Sequence, residues 1–239
     1  MSKIWVFTFL FILLLPNKVK CNRPECIKLK TAITQNIENN GFHRDIWWLV
    51  ETSEPSTESW LKTECNLALR LDVSRDMFVN PDEIAELNRT GELQASIDGK
   101  VNVEIPAHEA DEHILYVFLN SSLIKKLMLT IPIHLRYQRS QITGGFGKVN
   151  LRKPSLLMWC PNNFKSVCND GLKVEAPCDE KSQASCVWKN ISYLAHFEDA
   201  ELFVPVGDLD HYPLVSILTL LLGCAGCIYI LSVLSTTSM

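Results

Sequence analysis

Leu127-Met128-Leu129-Thr130-Ile131-Pro132-Ile133-His134-Leu135-Arg136-Tyr137 is the stretch whose reading decides the fold. Leu127, Leu129, Ile131, Ile133, Leu135 and Tyr137 alternate with Thr130, His134 and Arg136. A β-strand sends successive side chains to opposite faces, so this period of two predicts a strand with one buried face. Pro132, His134 and Arg136 then share the face opposite the apolar one. Proline has no N–H to give a neighbouring strand, which places Pro132 on an edge strand or at a strand end.

The same period recurs on either side. Ile27, Leu29, Thr31 and Ile33 alternate with Lys28, Lys30 and Thr34. Leu67, Leu69, Leu71 and Val73 alternate with Asn66, Arg70 and Asp72, and Val101, Val103 and Ile105 with Asn102 and Glu104. Ile114 to Leu119 is a continuous apolar run, suited to a strand covered on both faces. Several short strands joined by turn-rich links predict a β-sandwich. One short helix is expected at Asn80-Pro81-Asp82-Glu83, with Asn80 as N-cap, Pro81 at the first helical position and an acid at the third. Ile84 and Leu87 give it an apolar side and Gly91 ends it.

Beyond this body lie two apolar ends. Lys3 precedes an apolar run from Ile4 to Leu15, the pattern of a secretory signal peptide, with Val19 and Cys21 suited to the cleavage site. Residues 1–21 are expected to be removed. Leu214 to Leu234 carry no charge, and 21 helical residues reach across a bilayer. A polar pentapeptide, 235–239, follows as a short cytosolic tail. The reading is a single-pass type I membrane protein with residues 22–213 in the lumen. The span is expected to be retained and not exchanged for a lipid anchor, because bulky Leu209 stands where a small residue is wanted and the spacer to Leu214 is short.

Of nine cysteines, Cys21 leaves with the signal peptide, and Cys224 and Cys227 lie in the apolar helix. Cys26, Cys65, Cys160, Cys168, Cys178 and Cys186 remain. An even number in an oxidising compartment reads as disulfides, the local pairing being Cys26 with Cys65 and two bridges within residues 160–186. Gaps of seven, nine and seven residues in that cluster do not match zinc spacing. The fold class is therefore mainly β: a disulfide-bonded, sandwich-like lumenal domain with one C-terminal transmembrane helix. Three sequons, at Asn88, Asn120 and Asn190, are candidate N-glycosylation sites in a lumenal body.

The formal net charge is −4, from 23 basic and 27 acidic residues, with no basic run to hold nucleic acid. Gly144-Gly145-Phe146-Gly147 lacks the lysine and following helix of a phosphate cradle. Serines and histidines occur without a nucleophile signature, and adjacent acids such as Asp82-Glu83 and Asp111-Glu112 show no catalytic pairing. No catalytic, cofactor or metal site is expected. The Cys224-x-x-Cys227 spacing lies mid-span beside Gly223 and Gly226, where small residues favour helix packing over redox chemistry.

Three blocks resemble the PIG-X family, subunits of the glycosylphosphatidylinositol (GPI) mannosyltransferase I complex of the endoplasmic reticulum. Met77-Phe78-Val79-Asn80-Pro81-Asp82-Glu83-Ile84 is similar to the family's hydrophobic-Asp-Pro-x-Glu-Leu block, with Asn80 in place of the usual Asp. Pro132-Ile133-His134-Leu135-Arg136-Tyr137 is followed by Pro154-Ser155-Leu156-Leu157 and Cys160. Trp188 to Tyr193 precede Val204-Pro205-Val206-Gly207. The resemblance covers roughly residues 65–235. It implies a non-catalytic subunit that binds and stabilises PIG-M, a multi-spanning mannosyltransferase using dolichol-phosphate mannose. Pro132, His134, Arg136 and Tyr137 are the candidates for structure or partner contact. A cell-surface adhesion or receptor ectodomain, or a tail-anchored lumenal hydrolase, would suit the same topology; steady-state location and turnover by the lumenal domain separate them.

Overall fold

The computed structural model describes residues 30–53, 65–119, 126–160, 171–181 and 184–236. The strand that opened the sequence reading is β7 (Lys126–Leu135). Before it come β1 (Lys30–Glu38), β2 (His43–Ser53), β3 (Asn66–Val73), the two-residue β4 (Met77–Phe78), β5 (Ala95–Asp98) and β6 (His113–Leu119). After it come β8 (Phe146–Leu151), β9 (Ser155–Trp159), β10 (Lys173–Pro177), β11 (Ser185–Ile191), β12 (Leu194–Ala195) and β13 (Ala200–Pro205). Two α-helices accompany them among the described residues, α1 (Pro81–Thr90) and α2 (Tyr212–Thr236).

The strands form a five-stranded sheet, β12-β1-β2-β7-β4, and a six-stranded sheet, β10-β11-β9-β3-β6-β5. A two-stranded ribbon, β13-β8, completes the body. Neighbours pair antiparallel except β1 and β12. One face of each sheet is apolar, and the two faces meet. Ile33, Ile46, Trp48, Val50, Ile131 and Ile133 from the first sheet pack in one core with Leu67, Leu69, Leu71, Leu115, Val117 and Leu156 from the second. Removing each such side chain from water stabilises the fold by roughly 1.5–3 kcal/mol. The ribbon closes one side of that core with Val149, Leu151, Leu202 and Val204.

The six-stranded sheet is also apolar on its other face. Ala68, Tyr116, Leu157, Ala176 and Trp188 form a second buried cluster there. Trp188 donates its indole N–H to the Pro177 carbonyl at 3.1 Å, so its one polar atom is satisfied inside. This explains the continuous run at Ile114 to Leu119: β6 is covered on both faces, as expected.

The sequence does not single out β2 as a strand. Ile46, Trp48 and Val50 face the core while Trp47 and Leu49 are half-buried on the other side, so the period of two is masked. The expected strand at Val101, Val103 and Ile105 is absent; residues 99–106 are irregular. Their carbonyls serve a buried cation, described below. Thr31 and Ile33 lie buried on β1 as expected, while Ile27 and Leu29 fall outside the described residues.

The expected bridge between Cys26 and Cys65 is corrected. Cys65 is bonded to Cys160. These two residues flank the paired ends of β3 and β9, where Asn66 lies opposite Trp159. Antiparallel pairing, not nearness in the chain, brings them together, and Cys160 thereby leaves the local cluster. Cys178 and Cys186 close the β10–β11 hairpin. Cys26, Cys168 and the expected signal peptide lie outside the described residues.

The apolar C-terminal stretch Leu209–Thr236 is 28 residues long and apolar enough to cross a membrane. The expected span 214–234 lies wholly within α2, none of whose residues is buried. Several of its hydroxyls bond to the helix's own backbone: Ser216 donates to the Tyr212 carbonyl and Thr219 to the Val215 carbonyl, both at 2.8 Å. Such internal bonds suit a helix without water around it.

Candidate functional site: the corner of β7, β4 and α1

Along β7 the alternation holds to Leu135. Leu129, Ile131, Ile133 and Leu135 are buried, while Pro132 and His134 are half-buried on the other face. β2 pairs with β7 from Lys126 to His134, but β4 pairs only with Leu135 and His134. Pro132 therefore sits where, among the described residues, one edge of β7 has no strand beside it, consistent with its missing N–H.

After Leu135 the pattern breaks. Arg136 was expected on the polar face with His134, and Tyr137 on the apolar face. Instead Arg136 is 3% exposed and Tyr137 is 71% exposed. The cause is a set of directional contacts. The Arg136 backbone N–H donates to the Asp76 carbonyl at 2.8 Å, drawing the chain toward β4. Nη1 of its guanidinium donates to the carbonyls of Asn102 and Ile105, at 2.7 and 2.8 Å. The guanidinium also lies 4.5 Å from the centre of the Phe78 ring. Burial lowers the Arg136 pKa, yet a guanidinium remains charged in a protein. A buried charge is tolerated when it is hydrogen-bonded and faces an aromatic ring. Arg136 is thus an internal strut that ties residues 102–105 to β4 and β7.

His134 lies opposite His43 of β2 on one side and Phe78 of β4 on the other. Its ring stacks on Phe78 at 4.9 Å and meets His43 edge-on at 4.7 Å. Its Nε2 is 2.8 Å from a carboxylate oxygen of Glu83. Local chemistry in α1 delivers that acid. The Asn80 side chain accepts from the Asp82 N–H at 3.0 Å, Pro81 opens the helix, and Gly91 closes it at φ 79°. Glu83 lies in the first turn, directed at β7.

One buried polar residue braces the corner from beneath. The Val79 N–H donates to Nε2 of His113 at 3.3 Å. Burial, reinforced by the nearby Arg136 charge, pushes the His113 pKa down to about 4. The ring is neutral at pH 7 and, with Nε2 accepting, carries its proton on Nδ1. A cleft of about 490 Å³ opens beside His113. Arg70, Asp72, Asp98, Glu112 and Arg152 line it. Arg70 is paired with Asp72 at 2.8 Å, so the cleft offers a ligand no single sign of charge.

Glu83 and His134 have the form of an acid–base pair, but their neighbours are an imidazole and an aromatic ring, not a nucleophile. His43, Glu83 and His134 each offer a ligand atom within 4.8 Å of the others. Two imidazoles and a carboxylate form a donor set that suits zinc, so this is where the described residues could hold a metal ion. The sequence gives no hint of it, because the three come from separate elements with no ligand spacing.

The sequons differ in setting. Asn88 accepts from the Ala95 N–H and donates to the Ala95 carbonyl, both at 2.8 Å, so its amide joins α1 to β5. Asn190 is half-buried on β11, and Asn120 lies outside the described residues.

The blocks resembling the family meet in two pairs. Phe78 and Glu83 meet His134; Tyr193 donates its hydroxyl to the Pro154 carbonyl at 2.7 Å. Burial pushes the Tyr193 phenol up to about 12, which keeps that donor protonated.

The family model described as PIG-X / PBN1 matches residues 39–235. The chain belongs to the PIG-X / PBN1 family. It is 29% identical over 194 residues to the human protein named "GPI alpha-1,4-mannosyltransferase I, stabilizing subunit", covering 80% of this chain and 74% of that one. Proteins of the same name from rat and mouse are each 30% identical over 194 residues, covering 76% and 75% of those chains. No solved structure matches the chain. The matched region takes in the whole corner described above, from His43 to Tyr137, and extends through most of α2.

Proposed function

We propose that this chain is the non-catalytic stabilising subunit of GPI mannosyltransferase I, required for transfer of the first mannose in GPI-anchor synthesis. One observation carries the reading: relatives named as the stabilising subunit align with 80% of the chain. The structure supports it. The body is a sandwich whose buried cation, Arg136, is bonded internally, and α2 has no Asp, Glu, His, Lys or Arg between Leu214 and Leu234. A transferase that uses a lipid-linked donor needs acids placed in a cavity open to the bilayer, which one uncharged helix cannot line.

In this reading the partner is a PIG-M-like, multi-spanning catalytic subunit, and the chain is a type I protein of the endoplasmic reticulum with its body in the lumen. α2 packs on the partner through Gly223, Cys224, Gly226 and Cys227. Neither glycine carries a side chain, so a neighbouring helix can approach the backbone closely there. Half-buried Pro132 and His134 and exposed Tyr137 supply contacts from the body, and Arg136 holds them in place from within. Binding only the folded partner stabilises it by mass action. Purification of the full-length chain in mild detergent tests the partner. A multi-spanning mannosyltransferase should co-purify, and its consistent absence would contradict the reading.

A further inference from the structure

The body and α2 are joined by residues 206–211, and this joint is tied to a loop far away in the chain. The Gln141 N–H donates to the Gly207 carbonyl, and the Leu209 N–H donates to the Gln141 carbonyl, both at 2.9 Å. The Val206 N–H donates to the Gly145 carbonyl at 3.0 Å. The turn between these anchors folds back on the joint: Thr143, Gly144 and Gly145 have φ of 67°, 63° and 113°. A Cβ on Gly144 would stand 3.2 Å from that of Asp208. The loop is thus fixed beside the start of the helix.

Its tip is apolar and bare. Ile142 is 72% exposed, and Phe146, where the loop enters the ribbon, is 69% exposed. Single exposed apolar residues are ordinary. The bonds of Gln141 with Gly207 and Leu209 set this loop beside the joint, where Leu209 is exposed and Tyr212 opens α2, also exposed. We propose that this corner, the 141–146 loop with residues 209–212, rests among the lipid headgroups of the leaflet that α2 enters. The inference depends on the reading of α2 as a membrane span.

The depth follows from chain geometry. Residues Leu209–His211 form a 3-10 turn. At about 2 Å per residue that turn rises roughly 6 Å. The headgroup layer on each side of the hydrocarbon is about 5–7 Å thick. A loop bonded to Gly207 and Leu209 therefore lies at the depth of that layer when the apolar run begins at Leu214. Tyr212 is the kind of aromatic residue that settles there. Lipid is the favoured occupant because the tethers are within the chain and hold the loop at this depth whether or not a partner protein is present. The consequence is a second foothold that limits tilting of the body and presents the β7 corner at a set height above the bilayer.

Spin labels on the full-length chain in phosphatidylcholine nanodiscs test this. Cys224→Ser and Cys227→Ser remove the free thiols of α2. Nitroxides are then placed singly at Ile142→Cys, Met128→Cys and Leu222→Cys. Met128 is also exposed, at 60%, and lies seven residues before Leu135 on β7, roughly 24 Å along the strand from Leu135. Collisions with oxygen, enriched in lipid, are compared with collisions with a water-soluble nickel chelate. The oxygen-to-nickel ratio at 142 should be severalfold above that at 128 and below that at 222. A ratio at 142 equal to that at 128, with 222 reading hydrocarbon, overturns the proposal. Protection of 142 that appears only after the mannosyltransferase is added would make the corner a protein interface and equally overturn it. A water-exposed 222 would defeat the span reading itself, and this inference with it.

Discussion

The sandwich interior and the β7 corner are held by different physics. In the interior, Trp48, Ile131 and Leu69 gain stability from leaving water, and the gain depends on area and volume. In the corner, Arg136, His134 and His113 depend on direction: a carbonyl, a carboxylate or an N–H must stand at the right place. An interior of the first kind accepts substitutions that conserve volume. A corner of the second kind does not, because each lost partner leaves a polar group unpaired. The corner is thus the more exacting part of the molecule while burying less.

The largest effect is expected in the interior. Trp48→Ala should lower unfolding free energy by about 3–5 kcal/mol in denaturant titrations, since it opens a cavity as well as losing transfer energy. It also strands Gln35, whose side chain accepts from the Trp48 indole at 2.8 Å. Loss of the Cys65–Cys160 bond should cost a similar amount, because the bridge joins residues 95 apart and so restricts the unfolded chain strongly.

Arg136→Met sharpens the contrast. It keeps much of the volume but removes the donor to two carbonyls, and should destabilise by about 2–4 kcal/mol. Arg136→Lys should recover only part of this, because an ammonium on a flexible stem does not reproduce the planar fork over Phe78. If Met matches the native stability, the corner is held by packing after all.

The pH dependence of His113 comes next. The unfolded histidine takes up a proton near pH 6.5, while the folded one resists until about 4. Between those values the unfolded state binds more protons, so stability falls as the pH drops and levels off below 4. The loss should reach about 3 kcal/mol. His113→Gln keeps an acceptor for the Val79 N–H and should flatten this part of the curve. Identical slopes in the two proteins would contradict a neutral buried His113.

The smallest effect is expected at Glu83→Gln. Its pair with His134 is partly exposed, so the loss should be within about 1 kcal/mol. A similar stability with weaker retention of the partner enzyme would separate a contact role for this corner from a purely structural one.

The interior was legible in the sequence because burial imposes a local period. β3 and β7 declare themselves by alternation, and α1 by its cap, its proline and Gly91. β2 escaped because Trp47 and Leu49 are apolar on its second face. Residues 101–105 misled for the opposite reason. Their alternation is real, yet the chain bends so that the Asn102 and Ile105 carbonyls reach Arg136. In the corner, His134 and Arg136 were conspicuous as polar residues in an apolar strand. Their partners were not, because Glu83 lies 51 residues before His134, and only strand register brings His43 opposite it. The same limit hid the bond between Cys65 and Cys160.

The central claim is that this chain keeps a mannosyltransferase stable and transfers no sugar itself. The most direct measurement is the abundance of that enzyme and first-mannose transfer in membranes lacking this chain, before and after the enzyme is restored by overexpression. Deletion should lower both, and restored abundance should bring transfer back. Transfer that stays lost at normal enzyme levels would give this chain a direct part in the reaction and contradict the account.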